Sequence, residues 1–274
     1  MNLPRRTTPR AKAVSATVAR PTVRYRVEVL SPQAHLFAIT LEIDHPAPRQ
    51  RLSLPVWIPG SYLVREFSQH LQHLQATQGG EPVPLRQLDK NSWQVTAEAG
   101  QALVLRYEVY AFDASVRTAF LDATRGFFNA TSTCLRVLGQ EDRAHGLELP
   151  AAQAPAGWQV ATGLTPHHVD EDGFGEYRAA SYDELADCPV TLGRFFSAHF
   201  QAGGVDHRAA FGGGEGGGDA GGGARSNRGV QGEGGRSGRA ACGAVGRECS
   251  TRGAGAGTDG DGPAPRHLEP VLRP

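Results

Sequence analysis

Residues 23–29, Val23-Arg24-Tyr25-Arg26-Val27-Glu28-Val29, decide the fold, because apolar or aromatic side chains hold every odd position and charged ones every even position. A period of two puts the odd side chains on one face of an extended chain and the even ones on the other, which is a half-buried β-strand. The pattern continues outward from there. Ser31-Pro32 breaks the run, and Phe37, Ile39, Leu41 and Ile43 then alternate with Ala38, Thr40 and Glu42 up to the stop at His45-Pro46-Ala47-Pro48. Leu52, Leu54 and Val56 make a third run, in which Pro55 marks an edge strand or a strand end. Three such runs with no helical period between them predict an antiparallel sheet.

The stretch Phe67–Thr77 reads two ways: Phe67, Leu71 and Leu74 fit helical spacing, while Leu74 and Ala76 fit a strand. Beyond it, Trp93, Val95 and Ala97 alternate, as do Leu103, Leu105, Tyr107 and Val109 after Gly100, and the pair is expected to form a hairpin. Thr133–Leu138, Trp158–Thr162, Phe174–Ala179 and Phe195–Gln201 are further strand candidates. Tyr182–Ala186 reads as a helical turn behind an N-cap at Ser181, with Asp183 and Glu184 in its first turn. The expected fold is all-β, a sandwich or a curved saddle of antiparallel sheets with one or two short helical turns.

Composition sets the limits of the folded part. All the aromatic residues of the 274-residue chain lie at or before Phe211, whereas most of its 35 glycines lie beyond Gly203. Residues 23–207 are therefore expected to form one β domain, between a disordered leader (1–22) and a disordered Gly/Ala/Arg-rich tail (208–274) that cannot bury enough apolar area to offset backbone ordering. The tail has the composition of an out-of-frame reading of a GC-rich gene. The leader is basic, free of acids and without an apolar stretch of signal-peptide length, so a cytoplasmic location is expected. No run approaches the ~18 apolar residues of a membrane span. With 28 basic and 28 acidic residues, global charge gives no argument for nucleic acid, and the tail arginines have no aromatic neighbours for base stacking. The four cysteines form no CxxC pair and read as reduced and structural.

The most distinctive string is Leu54-Pro-Val-Trp-Ile-Pro-Gly-Ser-Tyr-Leu-Val-Arg-Glu-Phe67, a rigid aromatic loop at the end of a strand, whose Trp57 and Tyr62 read either as core plugs or as contact residues. Asp89–Trp93, Tyr107–Arg117, Gly126–Asn129, Trp158–Leu164 and Tyr182–Val190 follow it in order. Together these motifs resemble the N-terminal domain of the glycyl aminopeptidase family of zinc metallopeptidases, which carry a PDZ domain, over about Val23 to His207. The resemblance implies a β domain followed by a thermolysin-like domain with HExxH and a third zinc-binding Glu, then PDZ. It also implies that zinc and peptide substrate belong to the full-length enzyme.

HExxH needs two imidazoles four apart with a Glu between them, and no His-Glu dipeptide occurs in this chain. The expectation is therefore a non-catalytic domain that lacks the catalytic and PDZ domains, inactive alone, with no cofactor, metal or catalytic residue of its own. His70 with His73, on a shared helical face, and His167 with His168 are the best histidine pairs, and both read as solvent-facing. Ser61 lacks a nucleophile elbow. Asp183, Glu184 and Asp187 read as helix-start acids, and Asp113 with Arg117 as an ion pair. Trp57, Tyr62 and Arg65 are the candidates for substrate or domain-interface contact, since aromatic and Arg side chains dominate such surfaces. The alternative is a free-standing β-sandwich binding module using the same loop.

Overall fold

The computed structural model describes residues 20–58, 63–202, 205–212 and 242–245. The first part of the chain supplies β1 (Val23–Ser31), β2 (Leu36–Ile43), β3 (Arg49–Ser53), a 3-10 turn (Phe67–His70), β4 (Leu71–Gln78), β5 (Glu81–Pro82), β6 (Leu85–Asp89), β7 (Ser92–Thr96) and β8 (Leu103–Tyr110). The next part supplies β9 (Ala119–Leu121), β10 (Arg125–Phe128), α1 (Ala130–Thr133), β11 (Arg136–Val137), β12 (His145–Leu149) and β13 (Gln159–Thr162). After these come β14 (Thr165–Val169), β15 (Gly175–Ala179), α2 (Tyr182–Asp187), β16 (Val190–Gly193), β17 (Phe195–Ala202), β18 (Val205–Gly212) and β19 (Cys242–Val245).

An eight-stranded sheet runs β14-β15-β12-β1-β2-β8-β4-β5. The alternation read from sequence becomes its architecture: Val23, Tyr25 and Val27 of β1, Phe37, Ile39, Leu41 and Ile43 of β2, and Leu103, Leu105 and Tyr107 of β8 are all buried. Two four-stranded sheets, β13-β16-β10-β9 and β11-β3-β7-β6, share one apolar core with that face. Phe37 of β2 meets Phe128 of β10 edge-on, 5.5 Å between ring centres. The opposite face of the large sheet is charged: Arg24 forks onto Asp44, and Arg26 pairs with Glu148. Such half-exposed pairs are worth ~1 kcal/mol or less each, so burial on the other face supplies the stability.

The all-β class with two short helices agrees with the sequence reading, and the details sharpen it. Pro55 marks a strand end: β3 stops at Ser53. One pairing is parallel, β1 against β12 in the register Val23↔His145 to Arg26↔Glu148. The expected hairpin of Trp93–Ala97 with Leu103–Val109 does not form. β7 instead pairs with β6 and β3 in one sheet, while β8 lies between β2 and β4 in another. Residues 97–102 cross between the sheets, helped by Gly100 at φ +82° and held by the Gln78 side chain, which bonds the backbone of Glu98 and Gln101.

Of the two readings of Phe67–Thr77 the strand one holds from Leu71 on, and only Phe67–His70 is helical. A 3-10 turn leads into β4, and the irregular pairing of β4 with β8 between Gln72 and Gln75 holds His73 at φ +54°. That bulge puts Leu71 and Leu74, three apart, towards the core and so mimics helical spacing. Thr133–Leu138 is strand only at Arg136–Val137, because α1 occupies its start. At the edges of the expected domain, Pro21 is buried and the Thr22 carbonyl accepts from the Asp44 N–H, while β17–β18 carries pairing through Gly212 and β19 adds to it. The rest of the expected leader and tail lies outside the described residues.

Candidate functional site

The loop after β3 is built by proline and asparagine. Pro55 has no N–H to extend the ladder, and Asn91, in the β6–β7 turn, exchanges two bonds with Leu54: Leu54 N–H to the Asn91 carbonyl at 2.8 Å, and Asn91 Nδ2 to the Leu54 carbonyl at 3.1 Å. The Arg65 N–H then donates to the Val56 carbonyl at 2.6 Å and closes the loop at its neck. Trp57 stands 58% exposed, so it is a surface residue and no core plug; Ile58 behind it is buried. Arg65 is half-buried at the neck, its Nε without a hydrogen-bond partner among the described residues. Tyr62 and Ser61 lie outside the described residues.

Next to this loop the core turns polar. Asn129 caps α1 by accepting from the Thr131 N–H, and Thr131, Ser132 and Thr133 are buried beside it. Their hydroxyls are spent locally: Thr131 Oγ1 donates to Asn129 Oδ1, and Ser132 and Thr133 donate to the Asn129 carbonyl. Three buried tyrosines then grip the backbone that follows. Tyr107 donates to the Thr133 carbonyl, Tyr182 to that of Cys134 and Tyr25 to that of Leu135. Burial pushes the Cys134 thiol up to about 12, which leaves it no thiolate near neutral pH.

Between the loop and α2 lies a cleft of about 490 Å³, lined by Leu54, Val56, Trp57, Asn91, Thr131, Arg136, Leu138, Tyr182, Asp183 and Asp187. Arg136 enters from β11, its Nε donating to Ser53 Oγ at 3.3 Å. α2 forms the far wall, and its cap is as the sequence suggests: Ser181 Oγ accepts from the Glu184 N–H, and Glu184 accepts from the Ala180 N–H. Asp187 sits in the last turn rather than the first, and burial, then Asp183 one turn earlier, raises its carboxyl above the usual range. Sequence reasoning reached Trp57 through its flanking prolines. It missed Arg136, Asn91 and Thr131 as cleft residues, although Asn91 lay inside a quoted motif.

The other constellations are dispersed. Asp113 accepts from the Ser115 N–H and forms no ion pair with Arg117. His70 ends the 3-10 turn while His73 faces Glu108 from the β4 bulge, so the expected shared helical face does not exist. His167 and His168 are exposed on β14. Among the described residues no three His, Cys, Asp or Glu side chains gather to hold a metal ion, so the zinc implied by the resemblance has no seat among them.

The model of the Peptidase M61 N-terminal domain matches residues 24–194. No curated protein sequence matches the chain. Among solved structures, the aminopeptidase N family protein of Idiomarina loihiensis is similar at 41% identity with a TM-score of 0.65, over 68% of this chain and 32% of its own. This chain thus spans about a third of the length of that relative. An M1 zinc metallopeptidase of Deinococcus radiodurans follows at 13% identity and a TM-score of 0.38, over 68% of this chain and 45% of its own. A match over most of the described β domain, including the loop after β3, α1 and α2, identifies it: the chain belongs to the Peptidase M61 N-terminal domain family.

Proposed function

We propose that this chain is the non-catalytic β domain of a zinc aminopeptidase, and that in the full-length enzyme it walls the substrate cleft, with zinc and peptide bond held by another domain. The observation that carries this reading is an exposed apolar surface around α1. Trp57, Leu63 and Val64 on the loop after β3 are exposed, and so are Phe112 and Val116 beyond β8. Buried α1 lies behind both groups: Thr131 lines the cleft beside Trp57, and its neighbour Ser132 lines a hollow with Phe67, His70, Tyr110 and Phe112. A surface of this kind fits a domain interface better than the outside of a self-sufficient module.

Two measurements on the purified chain test the reading. The folded protein is expected to bind a hydrophobic dye, and Leu63→Ser with Val116→Ser to reduce that binding severalfold. A clean non-binder favours the free-standing module. Turnover of glycyl and alanyl amides is expected to be absent with zinc added; chelator-sensitive turnover would overturn the non-catalytic assignment, since it demands a metal-held water and a carboxylate base.

A further inference from the structure

We propose that the cleft between Leu54–Trp57 and α2 is a binding site for a short peptide with both termini free, with Arg136 taking its carboxylate and Asp183 and Asp187 its ammonium group. The proposal takes its class of ligand from the reading of this domain as part of a peptidase, and the site itself from the chemistry below.

The charges in the cleft are not spent on one another. Arg136 makes one hydrogen bond to protein among the described residues, from Nε to Ser53 Oγ, which orients the guanidinium and leaves the two Nη atoms for a ligand. Among the described residues neither Asp183 nor Asp187 forms an ion pair. Glu184 differs: its carboxylate is committed to the Ala180 N–H. Asp183 and Asp187 are four apart on α2, so they share one face, and both line the cleft. Arg136, Tyr182 and Asp183 all line the cleft, so charges of both signs face into it.

The same lining includes an apolar and aromatic part, Leu54, Val56, Leu138 and the exposed ring of Trp57. The volume falls within the several hundred Å³ typical of small-molecule sites. A ligand with one charge of each sign satisfies both ends, whereas a purely anionic or purely cationic one meets repulsion at one of them. Guanidinium–carboxylate pairing adds directional, forked bonds at the Arg136 end. Trp57 can stack on the peptide between.

Trp57 also provides the assay, because it is 58% exposed while Trp93 and Trp158 are 5% and 3% exposed. The full chain is titrated with Ala-Ala, N-acetyl-Ala-Ala and Ala-Ala-amide, following tryptophan emission and, independently, heat. The expected result is saturable binding of Ala-Ala, weakened tenfold or more by blocking either terminus. Arg136→Gln should erase the distinction between Ala-Ala and its amide. Asp183→Asn with Asp187→Asn, at exposed positions that do not threaten the fold, should erase the distinction between Ala-Ala and its acetylated form. Equal binding of all three peptides, or no saturation by about 20 mM, weaker than any specific affinity worth the name, overturns the site. That failure, with dye binding at the α1 surface intact, leaves the domain assignment standing.

Discussion

His145 carries its imidazole into the core with one nitrogen unspent. Nδ1 lies 2.7 Å from the Arg143 carbonyl, while the buried Nε2 has no hydrogen-bond partner among the described residues. Tyr25 stacks on one side of the ring and Tyr182 meets it edge-on. Burial lowers the pKa of His145, against smaller raising effects from the Arg143 carbonyl and Glu141. The folded protein therefore prefers the neutral ring, and the unfolded chain, titrating near 6.5, binds the proton first as pH falls. Stability contributed by the neutral ring is full above that pH and is lost progressively below it. Urea midpoints are expected to fall between pH 7.5 and pH 5.5, and His145→Leu to flatten that dependence; an unchanged slope in the variant would assign the acid sensitivity elsewhere. None of this was legible in the sequence, because the rings that enclose His145 come from β1 and α2, far along the chain on either side. The strand that carries it was within reach: Leu147 and Leu149 alternate with Gly146 and Glu148, as in the longer runs.

Elements with long alternation were readable because one face of each meets the core along its whole length, as β1, β2 and β8 do. Several short strands were not: β9, β10 and β16, three or four residues long, span too few periods to separate strand from loop, although β13, equally short, was reached as Trp158–Thr162. Pairing partners were harder still. The hairpin expected of β7 and β8 failed although both strands exist, since nothing local says that the chain changes sheets at Gly100. The cleft shares this limit, because its walls come from the β3 loop, β11 and α2, which only the tertiary fold brings together. One hairpin does rest on a single local requirement. Gly175, which opens β15, has φ +134°, and a Cβ there would sit 2.1 Å from the His168 carbonyl oxygen on β14. Gly175→Ala must strain that backbone or separate the strands, at a cost of at least ~1–3 kcal/mol. Because β14 is an edge strand, the expected signature is a lower melting temperature together with loss of amide protection over Thr165–Val169 while β1 and β2 stay protected. A variant with unaltered protection there would show that the pair tolerates the side chain.

The two faces of the whole molecule are unlike. The outer face of the large sheet carries Arg24, Glu42, Asp44, Arg26 and Glu148 in ion pairs, which keep most of it hydrated beside the exposed Leu30 and Tyr110. The side around α1 exposes Trp57, Leu63, Val64, Phe112 and Val116. A formal net charge of zero gives little long-range repulsion to keep copies apart. The isolated chain is therefore expected to self-associate weakly through the α1 side, its sedimentation coefficient rising with protein concentration and with added sulfate, which strengthens apolar association. Leu63→Asp with Val116→Asp should abolish the rise, because each carboxylate would have to be desolvated in the contact. Glu176→Gln, on the charged face of the large sheet, should leave it unchanged. If the two sets of variants behaved alike, association would not run through the α1 side, and the interface assigned to that surface would lose its support.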